Sequence, residues 1–455
     1  MTKSFSTTNP YLNQKIKDWS YASVDQIQSG IESLAVGIKT WKILTYQERQ
    51  KSLLQVLGQF EVKKEQFAQS ITEQMGKPIL QARAEVQKTL ETIRILCEMN
   101  LDFLKATNVS SSYRSSQVMN EPLGVIVGIM PWNFPLWQTV RMAFPALLAG
   151  NTVLLKSSEI TPEIGQIVEE CFHHAGLGHV VLKHILFSHE STESILSHPE
   201  ICGVSLTGST QAGQIVGSIA GKYLKKAILE LGGSDPYIVM TDAILGFATK
   251  KIIQSRLSNC GQVCISAKRV LIHESQLSEF LNLCQKEMAK FTLGDPMDEK
   301  TLLGPLSHFK FKQKYNQQVQ ELARYCETIE IKSDFDFEGA FVNPVILVFK
   351  ENHPSLRTLE IFGPALIVIS YSHLDRAIEI ANSTVFGLGA AVFSQDLEKA
   401  RKVAESLIAG QVAINDLVKS DVHLPFGGFK MSGHGSELGE AGFFEFTQTK
   451  VISVK

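Results

Sequence analysis

The chain has 455 residues, 44% hydrophobic and 20% charged, with 44 basic side chains against 46 acidic ones and a formal net charge of −2. At about 150 residues per domain this length makes about three structural units with ample material for cores. The balance of charge lacks the concentrated basic field that a nucleic acid or an anionic membrane demands, and no run of about 18 apolar residues exists to span a bilayer.

The opening segment, MTKSFSTTNP, carries no apolar signal core. Residues 14 to 105 are read as helical, because helix formers dominate and apolar residues recur at helical spacing through Leu53, Leu54, Val56, Leu57 and Phe60. Pro78 marks a break there, after Met75-Gly76-Lys77. From Thr107 to Asn120 Ser, Tyr and Val replace the helix formers, and this segment is predicted to be a polar β-hairpin. Short apolar runs then alternate with helical stretches. Predicted strands are Leu123 to Met130, Thr152 to Leu155, Val180 to Phe187, Gly203 to Leu206 and Lys226 to Leu229. The helices between them are Thr139 to Leu148, Pro162 to His174, Ser191 to Leu196 and Ala212 to Tyr223. Such alternation predicts a parallel sheet with helices on both faces, since parallel strands need crossovers. A second alternating block follows from Pro236 to about Gly410. Its strands are Pro236 to Met240, Arg269 to His273, Val345 to Val348, Ala365 to Tyr371 and Ala390 to Phe393, with helices Leu245 to Leu257, Leu277 to Lys290 and Leu374 to Ala381. The tail begins in a Gly-rich loop at Pro425 and ends in a strand, Thr449 to Val454. Seven scattered cysteines, an odd number, fit a reducing cytoplasm rather than a disulfide framework.

Several strand ends carry residues able to do chemistry. In Asn259-Cys260-Gly261-Gln262-Val263-Cys264 a sulfur follows a Gly-Gln turn after a helix, and a thiolate is the best side-chain nucleophile near neutrality. Glu230-Leu231-Gly232-Gly233 puts a carboxylate at a strand's carboxyl end, where it can act as a general base on water. In Pro131-Trp132-Asn133-Phe134-Pro135 two prolines fix an aromatic loop from which Asn133 can aim its amide at an oxyanion. Lys156 and Glu159 follow a third strand. Gly208-Ser209-Thr210-Gln211-Ala212-Gly213 opens a helix after a fourth, as a pyrophosphate site would. Each of these also has an everyday structural use, and their joint occurrence is what singles them out. The histidines show no ligand spacing, so no metal site is expected.

These segments, together with Glu360-Ile361-Phe362-Gly363-Pro364 and Pro425-Phe426-Gly427-Gly428-Phe429-Lys430-Met431-Ser432-Gly433, resemble the aldehyde dehydrogenase superfamily. They occur in its order over about residues 120 to 450. The resemblance implies an α/β fold with a Rossmann-type cofactor domain (1–105 and 123–232), an α/β catalytic domain (233–418) and a small β-flap (106–122 and 419–455) that joins copies into a homodimer or homotetramer. It implies that Cys264 is the nucleophile, that Asn133 and the Cys264 N–H form the oxyanion hole, and that Glu230 activates the hydrolytic water. Trp132, Lys156, Glu159, Gly208, Ser209, Gly213, Leu231, Glu360 and Phe362 become cofactor contacts. Glu159, on the ribose hydroxyls, favours NAD and repels a 2′-phosphate, with NADP still possible because Ser157 departs from the proline usual after the lysine.

Ser234-Asp235-Pro236, Arg141 and Ser420 look like the succinate-semialdehyde dehydrogenases, whose matching Arg and Ser bind the substrate's far carboxylate. Phe134 and Trp137 would line the tunnel. The arginine many members carry six residues before the nucleophile is Ser258 here, and Arg256 is the nearby substitute. The resemblance implies a role in four-carbon or 4-aminobutyrate catabolism. The alternatives are oxidation of glutarate semialdehyde or an aliphatic aldehyde, or a catalytically silent homologue. Coenzyme A-acylating chemistry is disfavoured by Glu230, and Cys260 is read as a spectator thiol.

Overall fold

A computed structural model, described over residues 3–333 and 338–455, contains two largely parallel sheets. The first has the order 433–434, 226–230, 201–207, 125–129, 152–156, 182–184, all parallel except the two-residue strand from the tail. The second runs 327–330, 345–349, 365–371, 269–273, 236–239, 389–393, 411–414, and only 327–330 is antiparallel. Strands such as Val345–Phe349 and Thr152–Lys156 are buried at every residue. That is how a parallel strand covered on both faces by helices must read.

Of the helices before residue 105, the first lies on the first sheet, and the later ones pack on helices Pro135–Leu148 and Pro162–His174. Val24–Trp41 starts from a capping box of Ser23 with Gln26, and Tyr46–Val62 from one of Thr45 with Glu48, each satisfying orphan N–H groups of the first turn. Phe60, Phe67, Phe144 and Phe172 interlock beneath them, all fully buried. Truncating one such ring costs about 3–5 kcal/mol. The exposed ion pairs, for example Lys3–Glu190 and Lys222–Glu193, are screened by solvent and contribute little. The core therefore holds the fold.

The expectation of helix from residue 14 fails at its start. Gln14–Ser20 is a strand paired antiparallel with Ser4–Asn9, and Asn13 turns between them at φ 52°. Both strands are polar and half-exposed, so their pairing with each other left no apolar period to read. Thr107–Asn108 and Ser115–Pro122 form the expected hairpin, and Thr447–Val454 adds to it as an edge strand. Val180 to Phe187 shrinks to Leu182–His184, at the sheet's edge. Gln411–Ile414, Glu327–Glu330 and the helices Phe309–Leu322 and Leu397–Glu405 were not anticipated.

The order of the first sheet reverses between Val125–Ile129 and Ile201–Thr207, and a crevice opens outside the carboxyl ends of such strands. The loops Met130–Phe134 and Gly208–Ser209 flank that point. The amino-terminal ends of the second sheet face it. Cys264 lies five residues before strand Arg269–His273, and Glu360 five before Ala365–Tyr371. Among the described residues no helix is long and apolar enough to cross a membrane.

Candidate active site

The turn that presents the sulfur is left-handed over three successive residues, with φ 50° at Asn259, 54° at Cys260 and 72° at Gly261. Each non-glycine residue there costs roughly 1–2 kcal/mol, which the surroundings must offset. Gln262 does so by donating Nε2 to Asn259 O at 3.0 Å and accepting the Ser307 N–H at 2.9 Å. Arg256, fully buried behind the turn, gives its guanidinium to Ser266 Oγ (2.6 Å) and to the carbonyls of Gly261, Ile361 and Gly363. Those bonds tie the cysteine loop to the Glu360–Pro364 loop. Arg256 is thereby occupied as a brace, and the structure does not bring its guanidinium to the substrate side.

Asn133 is buried beside this turn. Its Nδ2 donates one hydrogen to Gln262 O at 3.0 Å, which orients the amide and leaves the second N–H free. Its backbone carbonyl accepts from Asn259 Nδ2 (2.9 Å) and from Lys77 Nζ (2.8 Å). Lys77 is in turn ion-paired with Glu85, both fully buried, and Glu85 Oε1 accepts the N–H groups of Leu136 and Trp137, each at 3.1 Å. Breaking a buried pair of this kind costs about 3–5 kcal/mol, so the aromatic loop is fixed from below. Lys77 and Glu85 gave no signal in the sequence.

Cys264 is half-buried and unpaired, as is Cys260, which is fully buried. Burial pushes the Cys264 thiol up to about 11, with Lys268 and Arg141 pulling the other way. Lys268 Nζ donates to Cys264 O at 2.6 Å and to Glu360 Oε1 at 2.9 Å, and Glu360 also accepts the Gly233 N–H at 3.1 Å. One lysine thus spans the sulfur loop and the expected ribose ligand. A Cβ on Gly232 would lie 2.3 Å from Glu360 Oε2 and would push that carboxylate aside.

Glu230 ends its strand fully buried, with both carboxylate oxygens unpartnered. Burial first, and then the neighbouring Glu437 carboxylate, hold it well above the usual carboxylate range, with Arg141 opposing. Arg141 is buried and ion-paired through Nε with Glu437, its Nη2 has no partner, and its guanidinium lies 4.6 Å from the Phe426 ring centroid. Burial opposes that charge, and Glu437, Glu230 and Cys264 support it. Glu437, from the tail, was also not anticipated. Trp137 is buried on the same helix as Arg141, and Phe134 sits under Lys77 with 3.8 Å from Nζ to its centroid. Ser420 Oγ accepts from Lys88 Nζ at 2.9 Å.

At the crevice, Ser209 caps helix Thr210–Lys222 through the Ala212 N–H. Gly208 N–H bonds Glu230 O at 3.0 Å. A Cβ on Gly213 would meet Leu231 Cδ1 at 2.4 Å, so helix and strand approach closely, as a dinucleotide turn requires. Thr207 Oγ1 is buried there without a partner. Trp132 stacks on Phe311 (5.0 Å) and meets Phe362 edge-on (5.8 Å). Lys156 Nζ holds Glu159 Oε1 at 2.9 Å, and although burial works against it, this pairing keeps Glu159 below the ordinary carboxylate range. These residues are the ones that would hold a nicotinamide dinucleotide.

The pattern of the aldehyde dehydrogenase family matches residues 1–452. A succinate-semialdehyde dehydrogenase (NADP+) of Deinococcus radiodurans is 37% identical over 453 residues, covering 99% of this chain and 94% of that protein. A succinate semialdehyde dehydrogenase (NAD(P)+) of Escherichia coli K12 is 35% identical, covering 98% and 96%. The crystal structure of the succinic semialdehyde dehydrogenase of Streptococcus pyogenes in complex with NADP+ superposes with a TM-score of 0.95 at 31% identity, over 99% of each chain.

Proposed function

The chain belongs to the aldehyde dehydrogenase family, and from that premise we propose that it oxidises succinate semialdehyde to succinate with NADP or NAD as the hydride acceptor. One observation carries the chemistry: Cys264 follows a braced left-handed turn, the half-free Asn133 amide is held on the neighbouring Gln262 carbonyl, and the unpartnered carboxyl of Glu230 shares the Arg141 cation with the sulfur. The Cys264 thiol gives up its proton to solvent, and the thiolate attacks the aldehyde carbon, turning its C=O into an alkoxide. The free N–H of Asn133, with the backbone N–H of Cys264, holds the resulting alkoxide at no cost in reorganisation. A nicotinamide dinucleotide, when bound, supplies the acceptor for the hydride that aldehyde oxidation releases. Glu230 takes a proton from the water that cleaves the thioester left on Cys264.

The buried Nη2 of Arg141 supports a substrate whose far end is a carboxylate. Lys156 offsets the charge of Glu159, which lowers the expected penalty against a 2′-phosphate and supports use of either dinucleotide. The edge strand Thr447–Val454, with Val451 61% exposed, supports pairing between copies of the chain. Seven free cysteines suit the cytoplasm. The test follows dinucleotide reduction by absorbance across aldehydes. Succinate semialdehyde is expected to exceed butyraldehyde in kcat/KM by about tenfold or more, as a charged hydrogen bond allows. A ratio of one or less excludes the carboxylate anchor.

A further inference from the structure

Helix Ile79–Glu98 sends a second cation to the place where the substrate's far end is expected. Lys88, half-buried, donates Nζ to Ser420 Oγ at 2.9 Å and to Ser420 O at 3.1 Å, and Nζ stands 4.2 Å from the centroid of Trp137. Among the described residues it makes no ion pair. Arg141, by contrast, has Nε committed to Glu437. Lys88 is thus the one of these two cations without a carboxylate in direct contact, Asp421 acting on it only through space.

We propose that Lys88 is the principal electrostatic anchor for the substrate's distal carboxylate, with Arg141 Nη2 and the Ser420 hydroxyl completing a three-donor cradle over Trp137. This rests on the carboxylate-bearing substrate proposed above. The setting agrees. Burial, then Arg141, press the Lys88 ammonium down to about 8, with Lys419 acting the same way and Asp421 and Glu85 opposing. A carboxylate arriving between the two cations removes the repulsion that Arg141 imposes. Ser420 both fixes Nζ through its carbonyl and, with its hydroxyl hydrogen uncommitted to Lys88, can donate to the same ligand.

The test compares Lys88→Gln, which keeps hydrogen-bond donors toward Ser420 but discards the charge, with Lys88→Arg, which keeps the charge. Each is assayed on the full enzyme with succinate semialdehyde and butyraldehyde. The ratio of their kcat/KM values is expected to fall about tenfold in the Gln variant and to recover in the Arg variant. A wild-type ratio above one that survives Lys88→Gln overturns the assignment and leaves Lys88 a clamp on Ser420. A wild-type ratio of one or less removes the carboxylate substrate itself and the assignment with it. A measurement on the unaltered enzyme guards against a misfolded variant: acylation of Lys88 by an N-hydroxysuccinimide ester, read by mass spectrometry, is expected to be suppressed by saturating succinate but not by butyramide. Equal labelling in both also overturns it.

Discussion

With burial pushing the thiol of Cys264 up to about 11, the nucleophile carries a proton at rest. Turnover therefore has to begin by losing one, and steady-state kcat is expected to climb as the solution becomes alkaline. Glu230→Gln is expected to keep a single-turnover burst of reduced dinucleotide in stopped-flow absorbance while steady turnover drops about 10²-fold or more. Undiminished steady turnover would assign the base elsewhere. Cys264, Glu230 and Asn133 could be singled out from sequence because each sits beside glycines or prolines at a strand end, a local pattern. Lys77, Glu85, Lys88 and Glu437 could not, because each does its work across 50 or more positions and looks like an ordinary charge on a helix or loop. Lys268 stands only four residues past the nucleophile, yet its reach to Glu360 over 92 positions is set by the fold alone. Arg256, read as a substitute for the family arginine missing at Ser258, has its guanidinium bonded to Ser266 and to the carbonyls of both loops.

At the level of elements, the turn at 259–261 ties local strain to function. Gly261 sits at φ 72°, and a Cβ there would lie 2.4 Å from Gly363 O and 2.8 Å from Arg256 Nη2. Gly261→Ala is expected to disturb the bracing of both loops at once. The loss in kcat is expected to be at least about tenfold, against a stability loss of about 1–3 kcal/mol in denaturant melts. Equal and small effects on both would show that the turn can relax without moving the sulfur. The alternation of strand and helix from residue 123 to 410 was readable because buried parallel strands are apolar throughout and bounded by turn residues. The hairpin Ser4–Asn9 with Gln14–Ser20 escaped because neither strand has a buried face of its own, and its bulge at Thr7/Thr8 breaks what alternation exists.

For the whole molecule, the decisive arrangement is the opposition of one sheet's carboxyl ends to the other's amino ends, which brings loops from both into a single crevice. The tail crosses this arrangement twice. Gly433–His434 joins the first sheet beside Glu230, and Thr447–Val454 continues the outlying hairpin with Val451, Ile452 and Val454 exposed. The pairing of copies proposed for this edge predicts that Val451→Lys together with Ile452→Lys lowers the mass seen in size-exclusion chromatography with light scattering. An unchanged mass would overturn that pairing. Between those two crossings the tail also delivers Glu437 to Arg141. Cutting the chain ahead of residue 433 would accordingly strip a guanidinium of its counterion at the heart of the enzyme while ostensibly trimming only its rim. The same few residues serve as stitching outside and as ballast within.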